Sequence, residues 1–365
     1  MLVSLAVVLF LGAFTSSVVL TALAKRVAPR MGLVAHPRAD RYHRSVIPLG
    51  GGIAIFLTLA LFLIAGAAAM QFLIAPGHFG GLAERAGLNP ADFQHHAGEL
   101  LAILLCATLL FLVGLRDDKH ALGPFVKLVF QFLVAILAAA FADVRVEFFI
   151  QSRVVTTILS AFWIVLIVNA FNFLDNMDGA SAGMAAIASS ILLTAAAFNG
   201  QVFVSGLAIA FIGALLGFLV FNFPPASIFM GDAGSLVVGF FVALLTLRTD
   251  YYHQAQSGSW YPVLLPLIAM AVPLYDFTSV TLLRISQGKS PFVGDTQHFS
   301  HRLRRRGLTD TQTALTLYLA TLCTGLGATF LYQVNLVGAI LIVGQTLLIV
   351  GIIGVFESTG KTEDR

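Results

Sequence analysis

The chain is a series of long apolar stretches joined by short polar segments, and that alternation restricts it to a membrane bundle. A helix needs ~20 apolar residues to cross the hydrocarbon core of a bilayer. Eleven stretches of the 365 residues qualify, at about 1–24, 48–75, 99–115, 125–142, 154–173, 182–198, 202–221, 233–248, 260–283, 313–332 and 335–356. Charged residues make up 11% of the chain and hydrophobic ones 58%. A soluble domain carries roughly a quarter charged residues, so too little charge is present to cover a water-facing surface. The reading is an all-α polytopic membrane bundle of one domain, residues 1–365, with a transmembrane core over 1–356 and a short tail from 357. The stretch 182–198 is the weakest, being short and rich in Ala and Ser.

The first stretch has no basic residue ahead of it, and Lys25 and Arg26 follow it, which predicts a retained helix rather than a cleaved signal. Assigning the joints alternately to two sides puts 17 Lys and Arg residues on one side and 4 on the other (Arg85, Arg145, Arg153, Arg248). The positive-inside rule then places the N-terminus outside and the C-terminus, with Lys361 and Arg365, in the cytoplasm. The net charge of +3 implies no nucleic-acid partner. Cys106 and Cys323 lie in apolar runs and read as buried, reduced residues, with no metal-ligand spacing between them.

Five polar clusters fall on the side assigned to the cytoplasm. The first, His43-Arg44 through Ile47-Pro48 to Gly50-Gly51-Gly52, opens a span with three glycines. It reads either as a tight entry turn or as an anion site made of free helix-end N–H groups. The second is Arg116-Asp117-Asp118-Lys119-His120, followed by Lys127 and Gln131 one helical turn apart. Two adjacent carboxylates at a helix C-terminus are unfavourable unless a cation or a proton is managed there. The third runs from Asn169 to Gly179: Asn169, Asn172 and Asn176 share a helical stripe, and a break near Gly179 would turn Asp175 and Asp178 toward the same cavity. The fourth pairs Asn222 and Pro224-Pro225 with Phe229-Met230-Gly231-Asp232-Ala233-Gly234-Ser235. There Asp232 is placed to cap the next helix, to hold a divalent cation, or both. The fifth, from Pro291 to Arg306, contains His298, His301, Arg302 and Arg304, suited to phosphate, to a metal or to anionic headgroups. Asp276, inside a span, reads equally as a functional acid or as a partner for a basic loop residue.

Taken in order, four of these segments resemble the polyprenyl-phosphate N-acetylhexosamine-1-phosphate transferase family. They are Ile47-Pro48-x-x-Gly51-Gly52, Asp117-Asp118, the Asn169/Asn172/Asp175/Asp178-Gly179 block, and Phe229 to Ser235. The resemblance runs from about His43 to His301. It implies transfer of a sugar-1-phosphate from a UDP-sugar to undecaprenyl phosphate at the inner face of a bacterial inner membrane, with release of UMP. Mg2+ is the implied cofactor, with Mn2+ as a substitute. The His298…His301 loop looks like the branch that uses UDP-N-acetylglucosamine or a related UDP-HexNAc, which starts glycans such as lipopolysaccharide or teichoic acid. The muramoyl-pentapeptide branch usually shows a run of adjacent histidines that is absent here. Thr296 stands where the family often has a basic residue, and Ser300 where it sometimes has a further His. The resemblance leaves the oligomeric state open, a homodimer included.

On that resemblance, Asp232 anchors the metal against the diphosphate, and Asp117 or Asp118 orients the lipid phosphate, removes its proton, or shares the metal. Asn172, Asp175 and Asn222 contact uridine or sugar or support the metal, with Asp175 also a candidate catalytic group. His43, Arg44, Lys127, Asn169 and Asp178 bind substrate, and His298, His301, Arg302 and Arg304 take the charge developing on phosphate. Direct attack by the lipid phosphate and a covalent Asp intermediate both remain open. A secondary transporter is the rival from another class, but it would place its acids near the midplane rather than at one rim. A soluble-type prenyltransferase would need a third acid where Ala121 stands.

Overall fold

A computed structural model describes residues 2–36, 46–78, 80–81, 90–146, 150–251, 259–290 and 297–358. Its long elements are α1 (Leu2–Val27), α2 (Gly51–Ala69), α3 (Pro90–Lys119), α4 (Pro124–Phe141), α5 (Arg153–Leu174), α6 (Ala180–Phe198), α7 (Val202–Asn222) and α8 (Gly231–Arg248). The short α9 (Leu265–Ala269) and α10 (Ala271–Ser286) follow, then α11 (Phe299–Arg305), α12 (Asp310–Thr329) and α13 (Leu336–Ser358). One two-stranded ribbon pairs β1 (Val34–Ala35) with β2 (Ile47–Pro48) in antiparallel register.

Nine helices among the described residues are long and apolar enough to cross a membrane, and the bent pair α9–α10 makes a tenth. The eleventh expected stretch, 313–332, forms α12, which has the length but carries Thr311, Thr313, Thr316, Thr321, Thr324 and Thr329 along it. Those hydroxyls lower its hydropathy below that of the other spans. The stretch 260–283 is not one rod: its two parts are bent by 62°. Pro266 and Pro273 open successive helices, where a missing N–H is tolerated. The start of α3 lies nine residues ahead of the expected 99, and its end runs on through Asp117 and Asp118.

α8 forms the axis of the bundle. It is buried along nearly its whole length and packs against α2, α3, α5 and α6. α6, short and rich in Ala and Ser, is an interior helix, and those small residues let neighbours approach closely. α1 and α13 present Val3, Val8, Leu341 and Leu348 outward, as a lipid-facing surface requires. Cys106 is buried as expected, whereas Cys323 is exposed on the outer side of α12.

Two glycines set the spacing at one end of α8. A Cβ on Gly52 would lie 2.2 Å from the backbone nitrogen of Gly234, so α2 and α8 touch backbone to backbone. A Cβ on Gly114 would lie 2.5 Å from the Asp232 carbonyl oxygen, which brings α3 equally close. Gly51 and Gly52 donate their N–H groups to the carbonyls of Phe229 and Met230, each at 2.9 Å. Those donors are therefore committed within the fold, and the Gly50-Gly51-Gly52 run serves helix contact rather than an anion. His43 and Arg44 lie outside the described residues.

Candidate active site

The last turn of α3, the first turns of α4 and α8 and the end of α5 meet at one end of the bundle. Their meeting point is the Lys127 ammonium. It lies 2.9 Å from Asp117 Oδ2 and is also hydrogen-bonded to Asp232 Oδ2. Asp232 Oδ1 accepts from Asn172 Nδ2 at 3.2 Å, and the same amide donates to Ser235 Oγ at 2.8 Å. Asp117 also accepts the backbone N–H of Leu122, which fixes the carboxylate over the turn that follows α3. Thus two carboxylates from different helices face one cation, and an amide from a third helix steadies one of them.

Asp118 is differently employed. Its Oδ1 accepts the Asp232 N–H at 2.7 Å and its Oδ2 the Ala233 N–H at 3.0 Å. The first N–H groups of a helix lack intrahelical partners and carry its positive end. Asp118 caps α8 from another helix, so Asp232, the sequence candidate for that cap, keeps its carboxylate for Lys127 and Asn172. Sequence reasoning could not see this, because 114 positions separate the cap from the helix it serves.

The amide stripe on α5 does not converge on one cavity. α5 ends at Leu174, and the chain turns through Asp175 to a left-handed Gly179 at φ +72°. The side chains then fan out. Asn169 donates to Gln131 Oε1 at 2.7 Å, joining α5 to α4. Asn172 reaches Asp232, and Asn176 accepts the Ser300 hydroxyl at 2.6 Å. Asp178 accepts the Ala226 N–H at 2.8 Å. Asn222 is buried, accepting from the Gly179 N–H at 3.0 Å and donating to the Ile228 carbonyl at 2.9 Å. Asn169 and Asn222 thereby brace helices and loops around the carboxylates.

A second cluster adjoins the first. Asp276 on α10 accepts from His298 Nδ1 at 3.0 Å and from the Phe299 N–H at 2.6 Å. The Arg284 guanidinium stands 3.4 Å from His298 Nε2 and 5.0 Å over the Phe173 ring, whose plane the His298 ring meets edge-on. Arg302 donates to Ser279 Oγ at 2.9 Å, and Arg304 pairs with Asp310 at 2.8 Å. His298 and His301 are both buried. Burial, with the positive charge of nearby Arg304 and Arg305, pushes the His301 imidazole down to about 4. The residues from Pro291 to Thr296 lie outside the described ones. The clusters are joined through α5, where Phe173 follows Asn172 directly.

Among the described residues no three His, Cys, Asp or Glu side chains are arranged to hold a metal ion. The donor set around Lys127 is nonetheless one that a hard cation accepts: two carboxylates, Asp117 and Asp232, aimed at a single positive charge. Mg2+ is usually held by one or two carboxylates, with substrate phosphates and water completing the shell. Asp118 instead has each carboxylate oxygen on a backbone N–H group at the start of α8.

The family model for glycosyl transferase family 4 matches residues 100–250, a segment that contains the carboxylates, the amide stripe and Lys127. A Bacillus subtilis (strain 168) protein described as "Probable undecaprenyl-phosphate N-acetylglucosaminyl 1-phosphate transferase" is 28% identical over 98% of this chain and 93% of its own length. The undecaprenyl-phosphate alpha-N-acetylglucosaminyl 1-phosphate transferase of Salmonella typhi is 28% identical over 85% of this chain and 80% of its own length. The Escherichia coli (strain K12) protein of the same description is 26% identical over 81% and 76%. The segment matched by the family model coincides with the helices that build the carboxylate site, and the similarity to the three transferases extends well beyond it on both sides.

Proposed function

We propose that this chain is a membrane phosphotransferase that moves a HexNAc-1-phosphate, N-acetylglucosamine-1-phosphate first among the candidates, from a UDP-sugar to undecaprenyl phosphate. The observation that carries the reading is the convergence of Asp117 and Asp232 on Lys127 at one end of a lipid-facing bundle. A donor soluble in water and an acceptor held in a bilayer can meet only at such a rim. The distribution of Lys and Arg favours the cytoplasmic face of a bacterial inner membrane for it.

In the reaction an oxygen of the lipid phosphate attacks the phosphorus that bears the sugar. The bond from that phosphorus to the UMP oxygen breaks, and UMP leaves with the electron pair. One phosphoanhydride replaces another, so the protein has to position and neutralise two anions rather than supply driving force. Mg2+ bound to Asp232 and Asp117 would offset charge on the donor diphosphate. Lys127 turns from the carboxylates to a phosphate once that charge is present. Asp117 suits orientation of the acceptor phosphate better than Asp118, whose oxygens are committed to α8. Asn172 and Asp175 border the donor, and Asp178 shapes the loop beside them. Arg302 and Arg304 give the α11 flank its positive charge.

Purified protein incubated with radiolabelled UDP-N-acetylglucosamine, undecaprenyl phosphate and Mg2+ should yield labelled lipid and UMP. A panel of UDP-sugars then decides the donor. Absence of UMP release with every UDP-HexNAc refutes the reading.

A further inference from the structure

The mechanism above leaves Asp276 and Arg284 unused, although both are almost completely buried, at 1% and 2% exposure. They lie two turns apart on α10, with His298 between their side chains. Ionised carboxylates only accept hydrogen bonds, and guanidinium groups only donate. An imidazole between the two has one arrangement that satisfies both neighbours: Nδ1 carries the proton toward Asp276, and Nε2 offers its lone pair to Arg284.

Resting on the proposed reaction, we infer that Asp276 is a positioning residue that locks His298 as the neutral Nδ1–H tautomer, making it a hydrogen-bond acceptor for Arg284 rather than a general base. Three observations support this independently of any titration. Asp276 also accepts the Phe299 N–H, so one carboxylate fixes both the ring and the backbone at the start of α11. Arg284 is stacked on Phe173 at 5.0 Å, and the His298 ring meets Phe173 edge-on at 5.6 Å, so the orientation of His298 sets that of the guanidinium. Phe173 adjoins Asn172, which contacts Asp232 and Ser235, so the lock reaches the carboxylate site through a single turn of α5. Asp276 thus holds the end of α5 and α11 in register through His298 and Arg284.

Asp276→Asn provides the test, because it retains an acceptor for the Phe299 N–H but turns an amide donor toward Nδ1. That favours the Nε2–H tautomer, which aims a donor at Arg284. The expected result is a loss of roughly 10–100-fold in kcat, with the KM for the UDP-sugar changed by less than about threefold, the scale of supporting hydrogen bonds around a site. Asp276→Glu should recover part of the loss. The cycle with His298→Gln separates positioning from bulk structure: the double variant should be no slower than His298→Gln alone, whereas additive losses overturn the proposal. Ring 15N shifts in histidine-labelled protein, with His298 assigned by difference against His298→Gln, should report an Nδ1–H tautomer in the wild type. An Nε2–H tautomer or an imidazolium overturns the proposal. This reading needs no turnover, so it still decides the positioning role if the wild type proves inactive with every UDP-HexNAc, an outcome that would refute the proposed reaction instead.

Discussion

Asp118 caps α8 across the helix interface, with one carboxylate oxygen on the Asp232 N–H at 2.7 Å and the other on the Ala233 N–H at 3.0 Å. Two adjacent acids at the end of α3 therefore have different tasks. Asp118 fixes the start of α8 and so aims Asp232, while Asp117 faces Lys127. Asp118→Ala strips two half-buried donors of their acceptor, a destabilisation of about 1–3 kcal/mol per group. It should lower the melting temperature in detergent and the turnover together. Asp118→Asn keeps one acceptor and should fall between. Asp117→Asn should remove most of the turnover with a much smaller change in melting temperature, and equal thermal losses in the two Asn variants would argue against the division.

Lys127 neutralises Asp117 and Asp232 at once. In Lys127→Met the two carboxylates lose their shared countercharge, and a divalent cation no longer competes with an ammonium for them. Free protein of that variant should bind Mn2+ more tightly than the wild type, read by the loss of the free-ion electron paramagnetic resonance signal. Turnover should nevertheless fall by roughly 10²–10³, because a preorganised charge facing the transferred phosphate is gone. Lys127→Arg should not rescue it, since the guanidinium fork is wider and its donor geometry differs from a compact ammonium. Weaker Mn2+ binding in Lys127→Met would contradict the arrangement.

The bundle was legible in the sequence because membrane spans are written in contiguous residues. α1, α2, α4 to α8 and α13 lie close to the expected stretches. The shortfalls have local causes: proline pairs bend α9 against α10, and the threonines of α12 give a helix less apolar than its neighbours. The carboxylate site was legible as residue types, since Asp117, Lys127, Asn172 and Asp232 are all polar groups that lipid would not tolerate unpaired. The cap from Asp118 to Ala233 was not, being a long-range pairing with no periodicity to reveal it, whereas Asp276 does meet a basic loop residue, His298, as one of its two readings expected. Of the two readings of the glycine run at 50–52, the tight turn is the one favoured by the Gly51 and Gly52 N–H groups, which are spent on Phe229 and Met230.

Acid should weaken the fold through His301. Its folded value near 4 lies below the ordinary histidine value of 6.5, so the unfolded chain takes up the proton first. The contribution is complete above pH 6.5, declines as pH falls toward 4 and is gone below that, amounting at full extent to about 3 kcal/mol. His301→Gln, neutral throughout, should flatten the decline in melting temperature between pH 6.5 and pH 4.5 relative to the wild type. An unchanged slope would show that other groups carry the acid sensitivity.

Gly52 tests whether backbone contact, rather than any side chain, sets the geometry of the site. A Cβ there would sit 2.2 Å from Gly234 N and 2.6 Å from Gly234 Cα, both main-chain atoms that cannot rotate away. Gly52→Ala must push α2 from α8, at an overpacking cost of about 1–3 kcal/mol. Separation also strains the bonds from Gly51 to Phe229 and from Gly52 to Met230, each contributing about 1 kcal/mol. Because Asp232 is two residues before Gly234, the same displacement shifts its carboxylate relative to Asp117, so turnover should fall further than stability alone explains. Gly66 lies further along α2 with no atom within 4 Å of a built Cβ, and Gly66→Ala should be neutral or stabilising by up to about 1 kcal/mol through helix propensity. Melting curves and UMP release for the two variants, measured side by side, separate the close contact from the general effect of replacing a glycine in α2. Equal behaviour of the two would mean that the approach of α2 to α8 does not set the geometry of the carboxylates.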